Sequence, residues 1–147
     1  MAVRCYIPTT LAALGAGLTA TIAVAPDATV SGLRADDIEE REFAAMGIAA
    51  ALAAVDALGA QPPSPRVVVA YDAPAAAARQ PLAEGFDLLT LEGVDMDAVA
   101  SFHLDEAEVW DEALSAGDIG SAEDRLGESD LLWYDRSELD DLLGARG

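Results

Sequence analysis

The most hydrophobic short run in the chain is Val67-Val68-Val69-Ala70-Tyr71, between Arg66 and Asp72. It has no polar position on either side of a pleat. A strand of this kind needs cover on both faces, so it belongs inside a sheet. Upstream, from Asp36 to Leu58, apolar residues fall at helical spacing: Ile38, Ala45, Ile48, Leu52, Val55 and Leu58, with Phe43 and Met46 widening the face. Asp36-Asp37-Ile38-Glu39 reads as a capping box at the start, with Asp36 as the cap, and Gly59 as the C-terminal stop. Pro62, Pro63 and Pro65 form a stiff elbow between helix and strand. The fold is expected to be assembled around this helix and this strand.

The remaining pattern alternates irregularly. Val3–Ile7 predicts a strand ended by Pro8, followed by a short helix through Leu11, Leu14 and Leu18 capped by Thr9 or Thr10. Thr19–Ala25 predicts a second strand, rich in β-branched residues. Residues 28–33 read equally well as a short helix or an irregular connection, and residues 73–79 as a short alanine helix or a surface loop. Phe86–Leu91 and Val99–Leu104 predict two more strands. A second capping box, Asp105 to Glu108, opens a helix over 106–114 that buries Val109 and Leu114 and leaves Trp110 near its edge. Ser121–Asp124 starts another short helix. Leu131–Tyr134 is a last strand, in which Trp133 is assigned to the core. Asp135-Arg136-Ser137-Glu138 caps a terminal helix carrying Leu139, Leu142 and Leu143. The expectation is a single α+β domain over 1–147, with one five- or six-stranded sheet and helices mostly on one face. No internal period marks a repeat array.

Charge changes the picture. The chain of 147 residues carries 27 acids against 8 basic residues, a net charge of −19. The acids concentrate after Glu84, and every basic residue is arginine. Such a surface repels phosphate backbones and anionic lipid, which excludes direct nucleic-acid and membrane-surface binding. Solubility explains the acidity most simply; a basic partner or mimicry of a polyanion is the sharper reading. Lysine is absent, which removes Schiff-base chemistry and lysine-dependent phosphate loops. One cysteine, Cys5, permits no internal disulfide and no thiolate zinc site. A reducing cytoplasm fits. Arg4, the apolar stretch from Leu11 and Ala23-Val24-Ala25 imitate a signal peptide, but Pro8-Thr9-Thr10 breaks the run, so none is expected. Nor is a membrane-spanning helix, for want of a long uninterrupted apolar run.

Three stretches, Arg4–Leu11, Val67–Asp72 and Leu131–Tyr134, with Glu42–Met46 and Val99–Asp105 between them in order, resemble small uncharacterised actinobacterial proteins grouped as a domain of unknown function. The resemblance implies a one-domain cytoplasmic bacterial protein. It carries no activity and no catalytic residues.

The candidate chemistry is sparse. His103 is the only histidine, and Ser101, His103 and Asp105 share one side of their strand. Residues two apart are expected to lie too far from one another for a nucleophile–base contact, and no nucleophile elbow is present. His103 with Glu106 or Glu108, or Asp95 with Asp97, offers metal-binding residue types without a ligating spacing, so no metal and no cofactor is expected. The leading expectation is a non-enzymatic interaction or regulatory protein acting through its acidic C-terminal half, with Trp110, Asp111 and Glu112 as contact residues and a basic protein as partner. The alternatives are a small enzyme of unknown class centred on His103 with Asp105 and Glu106, and a polyanion mimic. Whether the chain is an enzyme is left open by its residues.

Overall fold

The computed structural model describes residues 2–27 and 34–146. The expectation for 28–33 lies outside them. The apolar run lies in the interior of the sheet, as strand β3 (Arg66–Pro74), flanked by β1 (Ala2–Thr10) and β6 (Val99–Leu104). Val67, Val68 and Val69 are sealed from solvent. The other strands are β2 (Thr21–Pro26), β4 (Ala78–Ala83), β5 (Phe86–Leu91) and β7 (Leu132–Asp135). All pair antiparallel in one sheet of seven strands, in the order β4-β5-β2-β1-β3-β6-β7.

The expected five or six strands become seven mainly because of β4. The alanine run 73–79 was expected to form a short helix or a surface loop; it instead ends β3, turns and enters β4. Pro81 is tolerated because β4 is an edge strand, and the register to β5 slips between Pro81 and Ala83. Glu84-Gly85 turns the chain between them, with Gly85 at φ +87°. Pro8 likewise fails to end β1. The ladder from β1 to β2 is confined to Tyr6↔Val24, so little pairing on that side depends on an amide at Pro8.

Five helices complete the described fold: α1 (Leu11–Ala16), α2 (Ala35–Gly59), α3 (Ala107–Leu114), α4 (Ile119–Gly127) and α5 (Leu139–Arg146). They cover both faces of the sheet rather than mostly one. Cys5, Ile7, Val67, Val69 and Tyr71 point to the side of α1 and α5, where Leu11, Leu14 and Leu142 complete the core. Tyr6, Val24, Val68 and Ala70 point to α2. Helices α3 and α4 pack on the end of α2 through Trp110, Ala113, Ala122 and Leu126.

The expected face of α2 is only partly the buried one. Ala45, Ala49, Ala53 and Ala57, at four-residue steps, meet the sheet and α3 side together with Ala50 and Ala54. Ile38, Phe43 and Val55 are exposed, Phe43 by 69% and Val55 by 57%. From Phe43 to Val55 the helix has no charged residue, so it is apolar all round and its periodicity selects no face. Close packing decides instead. The sheet already supplies Tyr6 and valines, and alanines let the helix approach it without overfilling the gap. By length and composition α2 also suffices to cross a bilayer, contrary to the expectation from its interrupted apolar pattern. Here it is the sheet's covering helix.

Local corrections follow the same logic. The cap of α2 falls at Arg34 rather than Asp36, and Asp37, the third helical residue, reaches back so that its carboxylate accepts from the Arg34 amide at 3.4 Å. Glu106 occupies the cap position of α3, because Asp105 is held elsewhere. Trp110 is buried and Leu114 exposed, while Trp133, expected in the core, is 62% exposed. The terminal capping box forms as expected, with Glu138 accepting from the Asp135 amide at 2.7 Å.

Candidate functional site

Two concavities open side by side on the α2 face. The larger, about 780 Å³, is a groove between α2 and the segment from α4 to Leu131. Phe43, Gly47, Ala51 and Val55 form its α2 wall, Leu126 and Leu131 the opposite one, and Arg66 its floor. Its acids, Glu123 and Asp130, have no ion-pair partner among the described residues. The groove is thus an apolar trough with an acidic rim.

Its floor is rigid. Arg66 and Asp105, each 3% exposed, form a two-pronged ion pair: Nε donates to Oδ2 at 2.7 Å and Nη2 to Oδ1 at 2.9 Å. Arg66 also donates to the carbonyls of Ala50 in α2 (3.1 Å) and Leu126 in α4 (2.6 Å). One guanidinium therefore ties β3, the end of β6 and both walls of the groove together. Nothing in the sequence singled out Arg66; the only signal was a lone arginine opening an otherwise apolar strand.

The smaller concavity, about 270 Å³, shares Phe43 and Met46 with the groove. Its lining includes Tyr6, Ser101 and His103, with Arg4, Glu39, Glu42 and Trp133. Ser101 Oγ lies 2.9 Å from His103 Nε2. The pleat was expected to hold them apart; both side chains lean along the strand and meet. Burial pushes the His103 pKa down, favouring the neutral imidazole. Burial pushes the Tyr6 phenol up to about 12. Arg4 at the margin is held by Asp72 at 2.8 Å, which raises its pKa further.

The structure does not assemble the expected residues into one site. His103 lines the small pocket, Asp105 is committed to Arg66, and Glu106 is exposed at the start of α3. Trp110 is sealed between α2, α3 and α4, so it offers no contact surface, whereas Asp111 and Glu112 are exposed and Glu112 pairs with Arg125 at 2.6 Å. Asp95 caps a 3-10 turn by accepting from the Asp97 amide at 3.0 Å. Among the described residues no three or more histidine, cysteine or acidic side chains cluster as a metal site would require.

An α+β protein with a single antiparallel sheet and an open apolar groove is thus the class that fold and geometry define. The chain belongs to a family of unknown function, DUF6912, which it matches over residues 3–143. No curated protein and no solved structure matches it.

Proposed function

We propose that this chain is a non-enzymatic interaction protein of the cytoplasm that receives an amphipathic helix, apolar on one side and basic at its flanks, in the groove between α2 and α4. The observation that carries the reading is the uncharged α2 wall from Phe43 to Val55, left open to solvent beside an acidic rim. At 1.5 Å per residue that wall is about 18 Å long, room for roughly three helical turns. Helix-in-groove recognition uses apolar anchors at helical spacing. Covering what remains exposed of Phe43 and Val55 contributes up to about 1–2 kcal/mol each, below the about 1.5–3 kcal/mol of a full burial. The net charge of −19, with Glu123 and Asp130 on the rim, selects a basic partner and speeds its approach. The acidic C-terminal half thus supplies one wall, and the apolar anchors come from the N-terminal half.

The test uses a synthetic three- to four-turn leucine/arginine amphipathic helix, titrated into the isotope-labelled full chain. The expected result is binding on the order of micromolar that weakens in salt. Amide shifts should concentrate at Gly47, Ala51 and Gly127, and Phe43→Ser should abolish them. Shifts scattered over the acidic surface, self-association through α2, or preference for neutral lipid vesicles over the peptide would each contradict the reading.

A second reading rests on the Ser101–His103 contact, a hydroxyl beside a neutral base. In a hydrolase of this kind, Ser101 Oγ would attack an acyl carbon while its proton passes to His103 Nε2, which returns it to the departing alkoxide or amine, and water would then release the acyl group as a carboxylic acid. The test is a fluorophosphonate, whose fluoride Ser101 would displace. Labelling lost in Ser101→Ala supports it, and no labelling of the native chain removes it.

A further inference from the structure

We infer that the small pocket between Phe43 and Trp133 is a guanidinium site, which takes an arginine side chain from the partner lying in the adjacent groove. The inference deepens the groove reading and rests on it for its partner, but the site itself can be tested alone.

Two aromatic residues that a soluble protein would ordinarily bury stand exposed at this one pocket, Phe43 from α2 and Trp133 from edge strand β7. Planar guanidinium stacks on aromatic faces, Trp most favourably. The charge is of the matching sign. Of the charged side chains lining the pocket, Arg4 is matched by Asp72, while Glu39 and Glu42 have no ion-pair partner among the described residues. Burial disfavours charge on His103, so the floor adds no positive charge at neutral pH. Beneath the aromatic residues the floor is polar, formed by Ser101, His103 and Tyr6, and so suits a group that keeps its hydrogen-bonding edge. The volume of about 270 Å³ admits a guanidinium with its three-carbon stem. The pocket also continues into the groove through Phe43 and Met46, so one partner segment reaches both.

The experiment is a titration of the full chain with ethylguanidinium and, in parallel, with its neutral isostere ethylurea, read at the indole N–H resonance of Trp133. That resonance is assigned by its loss in Trp133→Phe. The expected result is saturable binding of ethylguanidinium at least tenfold tighter than ethylurea. Phe43→Leu should weaken it about tenfold at that resonance, and Glu39→Gln with Glu42→Gln should do the same without altering the fold; Trp133→Leu, which lacks the indole, should weaken it about tenfold when followed at the backbone amides of Ser101 and His103. Equal response to the two compounds would overturn the site and leave the groove reading standing. Selective ethylguanidinium binding with no response to the amphipathic peptide would do the reverse.

Discussion

Arg66 and Asp105 meet as a fully buried, two-pronged ion pair that the rest of Arg66's hydrogen bonds extend into α2 and α4. Removing one partner strands the other charge in the interior. Asp105→Ala should therefore cost about 3–5 kcal/mol, measured by urea unfolding. An exchange of both residues for apolar ones of similar volume should cost much less. A loss below about 1 kcal/mol for Asp105→Ala would mean that the pair is hydrated and the groove floor loose.

The two tryptophans divide cleanly by burial. Trp110 fills the seam of α2, α3 and α4, so Trp110→Ala should cost about 3–5 kcal/mol. Trp133 sits opposite His103 on an edge strand and is 62% exposed. Its replacement by alanine should cost less than about 1 kcal/mol in thermal or urea unfolding. Equal losses would contradict the placement of both.

These residues show what the chain disclosed by itself. Val67–Tyr71 was legible as an interior strand because a run apolar on both sides of the pleat has one comfortable place. The terminal capping box was legible because its donors and acceptors are local. The rotation of α2 was not, because a helix apolar all round gives no phase, and the decision fell to packing against Tyr6 and Val68. The two tryptophans were misjudged for the same reason: which apolar residue is left over depends on the partner surface. Ser101 and His103 were correctly placed on one side of their strand, yet their contact depended on rotamers that spacing does not convey.

Alkaline pH should destabilise the protein in a defined window. Burial pushes the Cys5 thiol from 9.0 up to about 12 and the Tyr6 phenol from 10.0 up to about 12. The folded chain holds protons that the unfolded chain releases, so stability is full below about pH 9 and falls as pH climbs to about 12. Cys5→Ala should flatten the fall between pH 9 and 12 in urea midpoints. An unchanged slope would contradict the buried thiol.

His103 is the only histidine, so its titration is readable without assignment. Its imidazole signals should move with a midpoint below 6.5. The sign is that of a base kept neutral by burial. Its contribution to stability is present above pH 6.5 and is lost as pH falls through the folded value. A midpoint at or above 6.5 would mean an open pocket floor.

The groove exists only if α2 turns its alanines to the sheet and leaves Val55 outside. Maleimide labelling of single-cysteine substitutions reads that rotation directly, since native Cys5 is buried. Val55→Cys should label in the folded protein at the rate of an exposed thiol, and Ala53→Cys only after unfolding. Protection of Val55→Cys with ready labelling of Ala53→Cys would turn the helix over and remove the groove.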